Sequence, residues 1–279
     1  MTVAVVTDST SSLPPDVAAR EGIGIVPVQV VVGGEAFDET DRAADVIAAL
    51  RAMQRVTTSR PTPARFADAI AAATARGATE VVIATLSAAM SSTYESALIA
   101  AREADVPVDV VDTGTVGMAL GFAVLDAGRA ANAGADRASV ARTIERRAQA
   151  SHTTFVVDSL EHLRLGGRIS AAQAGVGRAL QVKPILAIRD GAIVAIDRVR
   201  TFSRAQERLV EIVVEQAGVE PVDIAVQHVD AADRAHELAD HIAMRLPQAT
   251  IIECPVGAVI GAHAGPGAVS VAVAPRSEP

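Results

Sequence analysis

Strand-like and helix-like segments alternate through the first half of this 279-residue chain. Apolar β-rich runs and segments of helical spacing follow one another at residues 3–7, 23–32, 43–53, 64–75, 80–85, 93–104 and 108–112. Parallel strands need long crossover connections, usually helices of about ten residues or more. The spacing therefore predicts a parallel sheet whose two faces are covered by helices.

The pattern changes near residue 152. A helix is predicted over residues 171–180, and two β-rich runs flank Asp190-Gly191, a dipeptide typical of a tight hairpin turn. Antiparallel pairing is therefore expected in this half. We predict an α/β protein of two domains: an N-terminal parallel-sheet (Rossmann-like) domain over residues 1–152, and a C-terminal mixed-sheet α/β domain over residues 153–279.

Composition and charge argue against several classes of protein. The net charge is −8 and the aromatic residues are five Phe, one Tyr and no Trp, whereas nucleic-acid binding relies on a basic surface and on stacking. The single cysteine, Cys254, cannot form an internal disulfide, and the pair His236 and His241 falls on different faces of a predicted helix. We therefore expect no metal site.

The apolar segments are short. No stretch of about 18 uncharged apolar residues occurs, and the first residues, MTVAVVTDST, lack the pattern of a secretion signal. The sequence therefore predicts a cytoplasmic protein without a membrane span.

Hydroxyl-rich clusters follow several of the predicted strands. They are Asp8-Ser9-Thr10-Ser11-Ser12, Thr57-Thr58-Ser59 with Thr62, Ser91-Ser92-Thr93, and Asp112-Thr113. Such residues cap helices, which accounts for any single cluster. Ligands of parallel α/β sheets, however, bind beyond the carboxyl ends of the strands, so clusters that converge there also fit an anion site.

The motifs narrow the identity of that anion. The chain lacks the lysine-containing phosphate loop and the glycine-rich fingerprint of dinucleotide-binding proteins. It also lacks the Gly-x-Ser-x-Gly elbow, but Ser91 with one of the six histidines could still form a hydrolase triad in space. His263, in the glycine-rich GAHAGPGA, is placed in a turn, where it could contact a ligand or simply be hydrogen-bonded.

Five segments in order resemble the DegV family, whose members bind long-chain fatty acids. They are VVTDSTSSLP, TSRPTPARF, TLSAAMSSTYESA, then LRLGGRIS with VKPILAIRDG and RVRT, and finally GAHAGPGA. The resemblance implies two α/β domains with the acyl chain buried between them. It also implies the acyl-binding subunit of a bacterial fatty-acid kinase: the subunit holds the fatty acid while a separate ATP-binding partner phosphorylates its carboxyl group, and then carries the acyl-phosphate.

The same resemblance implies a monomer that is not itself an enzyme and that has no cofactor beyond its fatty-acid ligand. Transient membrane contact is compatible with it, and binding of nucleic acid is not expected. An independent esterase acting on acyl esters and a binding protein for another amphiphilic lipid stay open as alternatives.

Site residues carry over by position. The carboxylate contacts of the family correspond to Thr62, Ser91 and His263, with a backbone amide donor near Ser92. Arg200 corresponds to an arginine implicated in partner docking.

The chain departs from the family pattern at position 92. Family members commonly have Gly where this chain has Ser92, and a serine would be strained if the backbone there required a positive φ. Residues 166–168 match the Gly-Gly-Arg turn of the family, and Gly114 stands where a basic residue is common.

Elementary energetics fit a fatty-acid ligand. Burial at about 0.8 kcal/mol per methylene gives roughly 11 kcal/mol for about fourteen methylenes, before the costs of association. Hydroxyl and amide donors can then hold the carboxylate while its oxygens stay accessible to a kinase.

Overall fold

The computed structural model describes residues 2–41, 43–52, 54–169 and 182–276. Helices and strands alternate along them, which confirms the α/β class. The helix predicted over residues 171–180 lies outside the described residues.

The chain divides into two compact units. The first unit comprises Met1–Gln29 and Ser59–Ala150, and the second comprises Val30–Thr58 and Ser151–Pro279. The sequence-based division at residue 152 gives two continuous segments, so it does not anticipate that residues 30–58 group with the second half. That the two predicted segments are domains stays a prediction.

A four-stranded parallel sheet forms the centre of the first unit and confirms the predicted arrangement. Its strands are β1 (Val3–Asp8), β2 (Gly24–Val26), β6 (Glu80–Thr85) and β7 (Val108–Asp112). They lie in the order β2-β1-β6-β7, with every neighbouring pair parallel. The helices of this unit are α1 (Pro15–Arg20), α3 (Pro63–Ala75), α4 (Thr93–Arg102), α5 (Met118–Asn132) and α6 (Arg137–Ala150). Phe66 of α3 packs with Val6 and Ile83 in a fully buried cluster.

The single β run predicted over residues 23–32 is wrong at Pro27 and Val28. After β2 the chain leaves the parallel sheet, and the next strand, β3 (Gln29–Val32), belongs to another sheet. Pro27 has no backbone N–H to continue a ladder, and the N–H of Val28 donates instead to the Ser9 side-chain oxygen at 2.9 Å.

Residues 30–58 contain a small three-stranded sheet and one helix. The strands β3, β4 (Glu35–Asp38) and β5 (Val56–Ser59) lie in the order β4-β3-β5, and the helix is α2 (Ala43–Arg51). Polar contacts join this segment to distant parts of the second unit. Glu39 accepts from the Val259 N–H at 2.9 Å, and Arg51 forms a two-pronged ion pair with Asp230, both bonds at 2.6 Å. Such contacts explain why the segment groups with residues far away in the sequence.

A six-stranded mixed sheet forms the centre of the second unit. Its strands are β8 (His152–Val156), β9 (Lys183–Arg189), β10 (Ala192–Val199), β11 (Val222–His228), β12 (Thr250–Pro255) and β13 (Val269–Pro275). Their order is β10-β9-β8-β13-β11-β12, and only β11 and β12 pair in parallel. The described helices of this part of the chain are α7 (Glu161–Leu165), α8 (Phe202–Ala217), α9 (Ala232–Arg245) and α10 (Ala258–Ala264).

The predicted hairpin is confirmed. Asp190 and Gly191 connect β9 to β10 with φ angles of 51° and 75°, and Arg189 pairs with Ala192 across the turn. Two successive positive φ angles define the turn type that suits the twist of a hairpin.

Candidate functional site

The carboxyl ends of three neighbouring strands meet at one edge of the parallel sheet. β1 ends at Asp8, β6 at Thr85 and β7 at Asp112. The Thr113 hydroxyl donates to the Thr85 carbonyl oxygen at 2.8 Å, and the Ala88 N–H donates to the Asp112 carboxylate at 3.0 Å. Three of the four predicted hydroxyl-rich clusters therefore follow strands that end at this edge. The fourth, Thr57-Thr58-Ser59, lies on β5 of another sheet, so the predicted convergence is wrong for it.

Asp8 joins the segment after β1 to the loop after β6. Its side chain is fully buried. One carboxylate oxygen accepts from the backbone N–H and the hydroxyl of Thr10, at 3.0 and 2.5 Å, and the other accepts from the Leu86 N–H at 2.8 Å. Burial raises the pKa of Asp8, and these three hydrogen bonds act in the opposite direction. Asp8 therefore fixes the start of the loop formed by residues 86–92.

This loop satisfies most of its own backbone donors. The Ser87 N–H donates to the Thr115 carbonyl at 2.9 Å, and the N–H groups of Met90 and Ser91 donate to the Ser87 carbonyl at 3.0 and 3.1 Å. The Ala89 N–H donates to the Ser87 hydroxyl oxygen at 3.2 Å. The loop therefore has a defined conformation before any ligand binds.

The remaining donors lie where the loop enters α4. The first N–H groups of a helix have no intrahelical acceptor and lie at its positive end. Ser92 occupies the cap position without a side-chain capping bond, and the hydroxyls of Ser91 and Thr93 lie 2.9 Å apart. Hydroxyls and free amides together are well suited to hold a carboxylate.

The strain considered for a serine at position 92 does not arise. Ser92 has a φ of −76° and a ψ of 24°, which any residue adopts readily. The difference from the glycine common in the family therefore leaves the local backbone unstrained.

Thr62 occupies the predicted cap position, directly before α3, with Pro63 as the first helical residue. Its exposed side chain makes no capping hydrogen bond, so its hydroxyl can donate a hydrogen bond to a ligand. Within the first unit, Ser91 and Ser92 adjoin one helix and Thr62 another, and no hydrogen bond between these described residues joins the two positions.

His263 lies in the second unit, on the last turn of α10 and not in the predicted turn. Its Nε2 is 2.8 Å from the Thr58 hydroxyl oxygen. Its Nδ1 is inaccessible to solvent and has no hydrogen-bond partner among the described residues. Burial, together with the positive charge of Arg168, lowers the pKa of His263 to about 4. The imidazole is therefore neutral near neutral pH.

The Gly-Gly-Arg turn adjoins this histidine. This predicted turn follows α7, a helix that the sequence analysis did not predict, and the Arg168 guanidinium donates to the Gly166 carbonyl oxygen. A Cβ placed at Gly166 would overlap Nδ1 of His263. Glycine is therefore required there by space, because its φ of −73° is ordinary.

Arg200 follows β10 in an exposed bend of the second unit. It makes no ion pair with a described residue. Its part in partner docking stays a prediction.

Sequence reasoning missed two residues that support His263. Glu39 carried no motif, yet its carboxylate accepts from the Val259 N–H in the first turn of α10. Thr58 was noted only as a member of a hydroxyl cluster before α3, and it lies instead on β5, next to His263. Helical or strand periodicity alone cannot reveal such contacts, because they join residues more than 200 positions apart.

The part of the chain that the structure describes contains neither a metal-binding group nor a membrane-spanning helix. No group of three or more His, Cys, Asp or Glu side chains could hold a metal ion. Among the helices described, none has both the length and the apolar character needed to cross a bilayer.

Comparison with known proteins identifies the family to which this chain belongs. The model of the family described as "Uncharacterised protein, DegV family" matches residues 2–276. A DegV domain-containing protein of Streptomyces coelicolor is 48% identical over 277 residues, which cover 98% of this chain and 99% of that protein.

Solved structures agree with this assignment. A DegV family protein of Thermus thermophilus, described for its fatty-acid binding, is 29% identical, with a TM-score of 0.90 over 99% of this chain and 100% of the other. DegV of Bacillus subtilis, described as a fatty acid binding protein, is 30% identical, with a TM-score of 0.89 over the same shares. This chain therefore belongs to the DegV family.

Proposed function

We propose that this protein binds a long-chain fatty acid in an aliphatic tunnel. The observation that carries the proposal is the similarity, over 99% of the chain, to the fatty-acid-binding proteins of T. thermophilus and B. subtilis. The composition agrees, because half of the residues are hydrophobic and only 2% are aromatic.

The head group is assigned to Thr62, Ser91, Ser92 and His263. The first two contribute hydroxyls, Ser92 lies beside the free amides of α4, and His263 contributes a neutral ring nitrogen. Hydrogen bonds to a charged acceptor contribute about 1.5–3 kcal/mol each, which offsets the desolvation of the carboxylate. A lysine would neutralise the oxygen that a kinase must phosphorylate, and this loop contains none.

The carboxyl group is presented to a separate fatty-acid kinase in this proposal, and the protein then carries the acyl-phosphate without catalysing the transfer itself. Arg200, which is exposed and makes no ion pair with a described residue, is assigned to docking that kinase. We propose a cytoplasmic monomer.

The first test is direct identification of the ligand. Extraction of purified protein with organic solvent, followed by mass spectrometry, should release saturated or monounsaturated fatty acid of about 14 to 18 carbons, whose burial supplies the affinity. A clean extract, together with no uptake of added fatty acid, would contradict the proposal.

The second test separates head-group contact from tail binding. Ser91→Ala should lower phosphorylation of bound fatty acid by a fatty-acid kinase more than it weakens fatty-acid binding, because the tail supplies most of the affinity. Ser92→Ala is the matched control, since the Ser92 side chain makes no capping bond and alanine keeps the amide. Equal phosphorylation of wild type and Ser91→Ala would count against the role of Ser91.

A serine hydrolase is the second candidate, suggested by Ser91 and His263. All six histidines follow residue 151, so the first unit, which contains Ser91, has none of its own. The Ser91 hydroxyl lies instead beside Thr93. Turnover of p-nitrophenyl acyl esters that disappears in Ser91→Ala would favour this candidate over the carrier.

A further inference from the structure

Residues 30–58 support α10 at both of its ends. At the first turn, Glu39 accepts from the Val259 N–H at 2.9 Å, in place of a cap that Gly257 cannot supply. At the last turn, the Thr58 hydroxyl lies 2.8 Å from Nε2 of His263. The helix that carries the histidine is thus held by a segment distant in the sequence.

The Thr58–His263 pair has two possible neutral tautomers, which differ in what Nδ1 offers to a ligand. A neutral imidazole carries one N–H, and a threonine hydroxyl can donate one hydrogen or accept. If Nε2 donates to Thr58, Nδ1 has a lone pair, which repels an anionic oxygen; if Thr58 donates to Nε2, Nδ1 carries the hydrogen and can donate to such an oxygen. In either form Nδ1 lacks a partner among the described residues, so the second form is the one that suits a carboxylate ligand.

Gly166 packs directly against Nδ1 of His263. A Cβ at that position would overlap the nitrogen. A buried donor without an acceptor is costly in the free protein, which is why such a group favours binding of an acceptor.

We propose that Thr58 is a positioning residue: its hydroxyl donates to Nε2 of His263 and holds the ring in the tautomer with hydrogen on Nδ1, ready to donate to the carboxylate of a ligand. This inference rests on the proposed fatty-acid function for its ligand, while the tautomer itself can be measured without one. Thr58 acts through the histidine and need not touch the fatty acid.

The decisive measurement is the tautomer of His263, observed by ¹⁵N NMR of uniformly labelled protein near neutral pH. Wild type and Thr58→Ser should show the Nδ1–H form, because both have a hydroxyl donor. Thr58→Val, which has nearly the same shape, should show a mixture of the two neutral forms. Thr57→Val is the matched control: Thr57 is the exposed neighbour on β5, its side chain makes no hydrogen bond to a described residue, and the substitution should leave the Nδ1–H form unchanged.

Two results would overturn the inference. One is a wild-type ring with hydrogen on Nε2, and this result decides the matter even if Thr58→Val does not fold. The other is a folded Thr58→Val protein with the same tautomer as wild type.

A binding experiment then links the tautomer to the ligand. With radiolabelled palmitate, Thr58→Val should bind about tenfold more weakly than wild type, and Thr58→Ser and Thr57→Val should stay within about twofold. Unchanged palmitate affinity in a Thr58→Val protein with a mixed tautomer would refute the link to the head group. If wild type itself binds no palmitate, the proposed function fails, and the NMR result still decides whether Thr58 sets the tautomer.

Discussion

The polar groups at the edge of the parallel sheet and those at the end of α10 differ in their hydrogen-bond partners. At the sheet edge, Asp8, Asp112 and Thr115 accept from the backbone of the loop at residues 86–92, so this loop is fixed by the protein itself. At the end of α10, Nδ1 of His263 has no described partner. The backbone donors of residues 86–91 are satisfied without a ligand, whereas Nδ1 of His263 has no partner among the described residues until an acceptor is added.

The two regions also bury titratable groups with opposite consequences. Burial disfavours charge in both places, so the pKa of Asp8 is raised and that of His263 is lowered. An acid whose pKa is raised by folding lowers the free energy of unfolding as pH rises, whereas a base whose pKa is lowered by folding lowers the free energy of unfolding as pH falls. The difference offers a way to examine each region by itself.

The largest expected effect is acid destabilisation through His263. In the unfolded chain its pKa returns to the ordinary histidine value of 6.5, while in the folded protein it is about 4. The unfolded state therefore binds more protons below pH 6.5, and the free energy of unfolding should fall between pH 6.5 and pH 4, by at most about 3 kcal/mol. Urea titrations across this range would measure it.

The variant His263→Gln should remove this part of the pH dependence. His236 is the control, because it is exposed and its contact with Glu253 raises its pKa, so that His236→Gln keeps the acid loss. An acid loss of equal size in His263→Gln and wild type would show that other groups cause it.

Gly166→Ala is expected to have the next largest effect. The new methyl group would overlap the His263 ring, and forcing an extra carbon into a packed site costs about 2 kcal/mol. Gly167→Ala is the neighbouring control: nothing lies within 4 Å of an added Cβ there, and only its φ of +73° is unfavourable, at about 1 kcal/mol.

Chemical denaturation gives both costs, and the NMR signals of His263 should move only in Gly166→Ala. If the ring is undisturbed in that variant, the close approach of Gly166 to Nδ1 does not exist in solution.

Some of this architecture could be predicted from local patterns. The parallel sheet followed from apolar runs separated by helices, and the hairpin followed from Asp190-Gly191, because both signals depend on residues close together in the chain. The division of residues 23–32 between two sheets was missed, although Pro27 was a visible signal. Proline alone does not show that the strand ends there, because the hydrogen bond from the Val28 N–H to the Ser9 side chain, which replaces a bond in the sheet, is visible only in the structure.

The candidate site, too, could be predicted only in part. The convergence of hydroxyls at the sheet edge followed from strand order. The contacts of Thr58 and Glu39 with α10 could not be predicted, because residues 30–58 group with the second unit through tertiary contacts that no local periodicity encodes.

Asp8→Asn tests the edge of the parallel sheet. Three donors, two from Thr10 and one from Leu86, point at the two carboxylate oxygens, and an amide can present an acceptor to only one side. We expect a loss of about 1–2 kcal/mol in the free energy of unfolding. Since the pKa of Asp8 is raised, wild type loses part of this advantage as pH rises, so the difference between the two proteins should shrink with increasing pH.

Asp112→Asn is the comparison for Asp8→Asn. Asp112 also accepts from two backbone N–H groups, but it is exposed, and water can replace a lost acceptor. Asp112→Asn should therefore lower the free energy of unfolding by less than about 1 kcal/mol. Equal losses in the two variants would show that burial is not what makes Asp8 important.

Ser92→Gly should have the smallest effect, although it restores the residue common in the family. The backbone at Ser92 already has a negative φ, and the side chain makes no capping bond, so glycine should change stability by less than about 0.5 kcal/mol. Palmitate affinity should stay within about twofold, because the amides at the start of α4 keep their positions. A gain of tenfold or more in affinity would mean that binding requires a positive φ at this residue. In that case the loop at residues 86–92 would have to rearrange around the ligand, and the contrast with the end of α10 would no longer hold.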